Sequence, residues 1–501
     1  MPRPDFPQHP ASEVSEKAPP NNKEAEWGWY AYPFLFSIYP VLHLYLRNIR
    51  EVQLTQVIWA AVISLAVAGA GWFMTGIFSS QRSKRSLALF SFMMLFHFYG
   101  LYYDQIAGWL PFVSHPLRAH LLALVPPGVI WLALTVLIFK SKRSFSVLNR
   151  VLQTAVWLLL AWNIGGITMH HAGQRFDHWR ESRSGIQRLP ALQTRTPDIY
   201  CFVLDEFAAP ESVRRLFGYD NSAFVASLRR QGFFVAQQSR SLYTLTEPAI
   251  AAILNLGEFS AVKDPFLQVR RNAVAALLKN RGYRIIDFAC QRSLFLEAAD
   301  QRFYYPLAHA SIFFDDFYRA LFERSLLRVL SDLWQLKKTD LSRFYRERIL
   351  QVFKELPAVV KTPGPKLVFV HLFSPHEPFV FEAQGKPGDP LHIWDHADPA
   401  YYLEQYIFIS SRLLQTTAMI IADSPAAPVI IMQSDHGYRG SRRRGKESQP
   451  VSRAEMILVF NALYLPGVPL AGIAPSLSPL NNFRLVFNSY FGTRYPLLKN
   501  P

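Results

Sequence analysis

The sequence predicts an α-helical transmembrane domain of five spans, followed by an α/β domain built on a mostly parallel sheet. Three observations predict it. Five apolar segments follow one another before residue 170, each near the roughly 20 residues that carry a helix across a bilayer core. Beyond residue 196, short continuous apolar runs alternate with helically spaced segments, the pattern of a sheet covered on both faces. The chain is 50% hydrophobic and only 18% charged, against about 25% in ordinary soluble proteins, and the deficit is concentrated in its first third.

Residues 1–26 are polar and carry Pro2, Pro4, Pro7, Pro10, Pro19 and Pro20, so they read as a flexible cytoplasmic tail with no cleavable signal peptide. The transmembrane domain then occupies 27–170, with spans near 28–46, 53–78, 86–103, 118–139 and 148–168. Trp27, Trp29, Tyr30, Trp109 and Trp131 stand near several segment ends, where interface anchors gather. With the N-terminus inside, the inner segments hold Arg3, Lys17, Lys23, Arg82, Lys84, Arg85, Lys140, Lys142, Arg143 and Arg150. The outer loops hold only Arg47, Arg50 and Arg118. This asymmetry orients the chain, and five spans place everything after about residue 170 outside the cytoplasm.

Residues 171–195 turn polar and read as a helical linker to a domain over 196–501. In that domain Ile199–Leu204, Phe233–Ala236, Tyr283–Phe288, Leu367–Val370 and Val429–Met432 read as strands. Ser222–Gln231, Pro248–Leu256, Val269–Arg281 and Tyr401–Ala422 carry helical spacing. Cys201 and Cys290 are the two cysteines, which excludes a disulfide framework and a cysteine-based zinc knuckle. The net charge of +16 comes without any zinc finger, basic zipper or aromatic RNA-binding signature, so a nucleic-acid partner is not expected. The spans hold few ionisable residues apart from Asp104, which argues against a transporter.

In α/β folds ligands gather beyond the carboxyl ends of the strands, and four features stand there. Asp205-Glu206 follows the first strand; paired carboxylates need a cationic neighbour such as a hard divalent metal, or else mark a helix start. Asp435-His436-Gly437 follows the last strand and offers an oxygen and a nitrogen ligand, or forms a plain polar turn. Two such clusters in one sheet converge on one point. Thr244 and Thr246 precede a helix, where a metal-bound hydroxyl becomes a nucleophile; either also suits helix capping, Thr244 through a T-x-x-E box with Glu247. His371 and His376 share a proline-rich loop after a strand, and Arg439, Arg442, Arg443, Arg444 and Lys446 form a basic run suited to a phosphate or anionic headgroup.

Together these segments resemble the sulfatase-like hydrolases and transferases of the alkaline phosphatase superfamily, and within it the lipoteichoic acid synthases. PDIYCFVLDE is similar to the first strand with its metal carboxylates, SLYTLTEPAIAAILNL to the nucleophile segment, HLFSPHEPFVF to the histidine loop and IIMQSDHG to the final metal motif. FNALYLPG and SPLNNFRLVFNSYFG resemble the closing segment, so the likeness covers most of 196–492. The family pattern Y-x-x-T falls on Tyr243 and Thr246 and selects Thr246 as nucleophile. The resemblance implies a divalent ion (Mn²⁺, Mg²⁺ or Zn²⁺) held by Asp205, Glu206 or both, with Thr246, Asp435 and His436. It implies His376 in phosphate binding or proton transfer, and His371, His376, Arg439 and Arg442 toward substrate.

The expected function is therefore a phosphotransferase of the bacterial plasma membrane with an extracytoplasmic catalytic domain. It would move a phospholipid headgroup, phosphoglycerol first, through a phospho-threonine onto an envelope glycan or polymer. Thr246-Glu247-Pro248-Ala249-Ile250 lacks the convertible Cys or Ser and the arginine of true sulfatases, which argues against sulfate ester hydrolysis and leaves a sulfatase among the lesser alternatives. Phosphoethanolamine transferases of this superfamily usually carry several disulfides, which two cysteines cannot supply. That branch, a membrane-anchored phosphodiesterase or phosphatase, and a non-catalytic scaffold are the alternatives.

Overall fold

The structure is a computed structural model and describes residues 30–109, 116–181, 196–257, 264–289, 294–304, 316–333, 338–395, 398–444 and 447–499. The expected cytoplasmic tail, residues 182–195 of the expected linker, and Cys290 lie outside these. The chain forms two compact units. One holds the helices up to His171 and Ala320–Leu330; the other holds Asn48–Val52 and the remainder.

The first unit contains α1 (Tyr32–Arg47), α2 (Leu54–Phe78), α3 (Arg82–Trp109), α4 (Pro116–Lys140) and the start of α5 (Ser146–Glu181). Four stretches, Leu54–Phe78, Arg82–Ile106, Arg118–Lys140 and Ser146–Gly173, are long and apolar enough to cross a membrane. The first of the five expected spans falls short of that measure. Its 16 residues rise about 24 Å at 1.5 Å each, under the roughly 30 Å of a hydrocarbon core, and Pro40 lies within it. Tyr32 and Phe36 of α1 are buried among Ala68, Leu89 and Met93. Trp59, Phe73, Leu137 and Trp162 stay exposed, as lipid-facing side chains do. In the Ala320–Leu330 segment, the Leu326 N–H donates to the Phe96 carbonyl at 2.7 Å and Arg328 pairs with Asp104 at 2.7 Å. Asp104 is thereby half of an ion pair.

The second unit runs β1 (Ile199–Leu204), α6 (Pro210–Phe217), α7 (Ser222–Arg230), β2 (Phe234–Val235), α8 (Thr246–Leu254), α9 (Pro265–Arg270), α10 (Ala273–Lys279), β3 (Arg284–Phe288) and β4 (Gln301–Phe303). The chain passes through α11 (Asp316–Arg324) and α12 (Arg328–Leu333), whose residues within Ala320–Leu330 belong to the first unit. The second unit continues through α13 (Lys338–Val360), β5 (Lys366–Leu372), α14 (Pro399–Asp423), β6 (Val429–Ser434), β7 (Ser441–Arg444), β8 (Glu447–Pro450), α15 (Arg453–Met456), β9 (Asn461–Tyr464) and α16 (Asn482–Phe491). The seven-stranded sheet has the order β2-β9-β6-β1-β5-β3-β4. It is mixed: β6-β1-β5-β3-β4 pair in parallel, while β9 runs antiparallel to both β6 and β2. The expected five strands are present, and β4, β9 and the β7–β8 hairpin are additional. Alternation along β1 shows why the run is apolar throughout. Tyr200, Phe202 and Leu204 enter one core beneath α13 and α14, and Ile199, Cys201 and Val203 enter the other with α8, α10 and α16. Both faces are covered, so no position on β1 is left polar.

Candidate metal centre

β1 and β6 are neighbours in parallel register, Leu204 opposite Ser434, so the residues that follow them, Asp205 and Asp435, emerge side by side. The Ser434 hydroxyl donates to the Leu204 carbonyl at 2.9 Å and accepts from the Phe207 N–H at 3.0 Å, tying the two turns together. Asp435 Oδ1 accepts from the N–H groups of Glu206 and His436 at 3.1 and 2.7 Å, which leaves Oδ2 facing His436 Nε2 at 3.5 Å. Asp205 Oδ1 lies 3.6 Å from the same nitrogen. The His436 Nδ1–H donates to the Gly437 carbonyl at 2.9 Å; this fixes the tautomer and leaves the Nε2 lone pair for a ligand. Gly437 has a packing reason, since a Cβ there would meet the Glu455 and Leu458 carbonyl oxygens at 2.4 Å.

Thr246 opens α8, and its Oγ1 lies 3.4 Å from His436 Nε2. The N-cap is Leu245, without a side-chain bond, so Thr246 does not spend its hydroxyl on capping. Asp205 Oδ1 and Asp435 Oδ2 are buried and hydrogen-bond to nothing among the described residues. Two bare carboxylate oxygens facing an imidazole lone pair are costly alone and suit a divalent cation with mixed oxygen and nitrogen preference. Asp205, Asp435 and His436 are together close enough to share one ion. Burial pushes the Asp205 carboxyl up, but His376, His371 and His436 reverse this and hold it well below the usual carboxylate range.

Glu206 departs from its neighbour. Its φ of 61° is left-handed, a conformation costing a non-glycine residue about 1–2 kcal/mol. Its Oε1 accepts from the Arg439 N–H at 2.6 Å, and its Oε2 lies 3.9 Å from His376 Nε2. Glu206, His376 and Glu377 form a second trio of possible ligands, but Arg439 Nη2 already sits 3.0 Å from His376 Nε2. A guanidinium in that position opposes a further cation and suits an anion. His376 Nδ1–H donates to the Glu377 carbonyl at 2.7 Å. Burial works against charge on this ring, yet Asp205, Glu206 and Glu377 outweigh it and raise its pKa; burial raises the Glu206 carboxyl.

The structure thus gathers Asp205, Thr246, Asp435 and His436, and beside them Glu206, His376 and Arg439. His371 is only 1% exposed, and its Nε2 faces Asp205 Oδ2 at 3.5 Å. Arg442 stands in β7 opposite Gln449, and its side chain lies outside the described residues. Sequence reasoning passed over Asp287 on β3, which is fully buried and raised by that burial to about 6. Its signal was an acid within an apolar strand.

No family profile and no curated protein sequence matches the chain. Among solved structures it is similar to the C-terminal periplasmic domain of EptC from Escherichia coli in complex with Zn, at 14% identity over 61% of this chain and 87% of that one, TM-score 0.42. It is similar to the integral membrane protein lipooligosaccharide phosphoethanolamine transferase A from Neisseria meningitidis, at 11% identity over 92% and 95%, TM-score 0.41. A third is a protein in the alkaline phosphatase superfamily from Vibrio parahaemolyticus, at 13% identity over 61% and 69%, TM-score 0.36.

Proposed function

We propose that this chain is a metal-dependent phosphotransferase of the plasma membrane that moves a phospholipid headgroup through a phospho-threonine at Thr246. The observation that carries it is one convergence: a hydroxyl at a helix start, an imidazole lone pair and two bare carboxylate oxygens. Asp205, Asp435, His436 and Thr246 would hold the cation. When bound, a divalent ion lowers the hydroxyl pKa and polarises a phosphoryl oxygen.

Thr246 Oγ then forms a bond to phosphorus as the bond to the diacylglycerol oxygen breaks. In the second step an acceptor hydroxyl of an envelope glycan or polymer attacks phosphorus and Thr246 Oγ leaves. In each step one proton passes from the incoming hydroxyl to the departing oxygen. His376 takes it on Nε2, since Nδ1–H is held by the Glu377 carbonyl, once the Arg439 guanidinium that lies 3.0 Å from Nε2 turns to the phosphate. The Arg439 guanidinium meets the phosphate charge.

Phosphoethanolamine takes precedence over phosphoglycerol as the group moved. The Glu377 carboxylate, part-exposed beside His376, offers a partner for an ammonium that glycerol lacks, and the same headgroup is named for one of the solved structures above. We place the catalytic unit outside the cytoplasm on the Lys and Arg asymmetry of the loops, which requires α1 to cross despite its length. The test supplies membranes holding wild type or Thr246→Ala with headgroup-labelled phosphatidylethanolamine or phosphatidylglycerol and Mn²⁺. Diacylglycerol release from one lipid, lost in the variant and on chelation, fixes donor and chemistry. Release that survives Thr246→Ala refutes the nucleophile assignment. Release without transfer of label to any acceptor turns the reading into a phosphodiesterase.

A further inference from the structure

Side chains two residues apart on a strand share a face. Val203 of β1 stands opposite His371 of β5 and Gln433 of β6, and Asp287 of β3 stands opposite Phe369. Stepping by two, Asp205, His371, Asp435 and Asp287 all belong to the sheet face that packs on α8. They make a staggered polar row across four adjacent strands, on a face that also carries Cys201, Val203, Phe369 and Ile431 and the buried Gln433. The row is ordered. Asp205 Oδ1 faces the metal cluster and Oδ2 faces His371 Nε2 at 3.5 Å. Asp287 stands on the neighbouring strand β3, opposite Phe369 and so two residues along β5 from His371. Asp287 Oδ2 is fixed by the Leu296 N–H at 2.9 Å and by Arg302 Nε at 3.3 Å.

We propose that His371 is a positioning residue that sets the rotation of the Asp205 carboxylate, presenting Oδ1 to the cation. It rests on the metal-centre reading above. At 1% exposure His371 cannot touch a lipid or acceptor, whereas a coordinating carboxylate needs its second oxygen held to keep the first in place. Outer partners of this kind govern metal affinity by about 10–100-fold. Rotation is the point at issue, so reach decides which substitute works. Glutamine carries an N–H about as far from the backbone as His Nε2, and asparagine stops short of it.

The experiment titrates purified full-length protein with Mn²⁺ and reads free Mn²⁺ by electron paramagnetic resonance, with circular dichroism as the check on folding. Wild type, His371→Gln, His371→Asn and Asp435→Asn are compared. We expect His371→Asn to bind Mn²⁺ about 10–100-fold more weakly, His371→Gln to stay within about threefold of wild type, and Asp435→Asn to lose tight binding. Equal affinities for the Gln and Asn variants and wild type, with Asp435→Asn impaired, overturn the role of His371 and leave the metal centre standing. Wild-type binding that Asp435→Asn leaves untouched overturns the metal centre and His371 with it.

Discussion

Asp205 and Glu206 are adjacent in sequence, yet their carboxylates serve two different neighbourhoods. Asp205 follows β1 and keeps the strand's direction, so it meets Asp435 and His436, with no guanidinium among them. Glu206 turns left-handed and meets His376 and the Arg439 backbone, with a guanidinium already alongside. The same residue chemistry thus gives one neighbourhood of carboxylates and imidazole and one with a guanidinium beside it. The difference teaches that ligand counting alone does not identify a metal centre; bare oxygens facing a lone pair do.

The largest effect that sharpens this contrast is at Thr246. Thr246→Ala should lower headgroup turnover by about 10³-fold or more, as loss of a nucleophile does, while Thr246→Ser keeps a hydroxyl and measurable turnover; lipid release assays read both. Next comes Arg439→Ala. Hydrogen bonds to charged groups are worth about 1.5–3 kcal/mol, so kcat/KM should fall roughly 10–100-fold with Mn²⁺ affinity unchanged. A parallel loss of Mn²⁺ affinity breaks the division into two neighbourhoods.

The smallest effect is at Asp287. Its carboxyl is held at about 6 against about 3.9 in an unfolded chain, so between those values the folded state binds the extra proton. Stability from this group is therefore full below about pH 4, falls as pH rises to about 6, and is level above. With chelator present, the difference in Tm between wild type and Asp287→Asn should change between pH 4.5 and 6.5 and stay constant from 7 to 8. A difference independent of pH throughout removes the assigned shift.

Much of the second unit was legible because its strands are buried on both faces. The continuous apolar run of β1 gave Ile199–Leu204 without error, and Asp205 and Asp435 followed at the carboxyl ends. β4 was hidden because Gln301-Arg302-Phe303 is short and polar, and β9 because Asn461–Tyr464 lies inside a segment read only for its likeness to a closing motif. The antiparallel edge that makes the sheet mixed was lost with it. Apolar length suggested that α1 spans, but packing rather than length shaped it: Tyr32 and Phe36 face inward and the helix stops at 16 residues. Labelling of a cysteine placed near Thr493 by a membrane-impermeant thiol reagent in intact spheroplasts decides the matter. Labelling supports five crossings, and protection until lysis supports four.

Split roles for neighbouring groups are the hardest to read from sequence, because the direction of a side chain depends on register. His371 shared a loop motif with His376 and took on its expected role; only pairing with Val203 reveals that it points to Asp205.

The most direct test of the whole reading is to trap the intermediate. Protein incubated with phosphatidylethanolamine bearing ³²P in its headgroup, without acceptor, is quenched in acid, digested and mapped by mass spectrometry. We expect label on the peptide holding Thr246, absent in Thr246→Ala and in the presence of chelator. Diacylglycerol release with no label on Thr246 at any quench time would contradict the covalent mechanism.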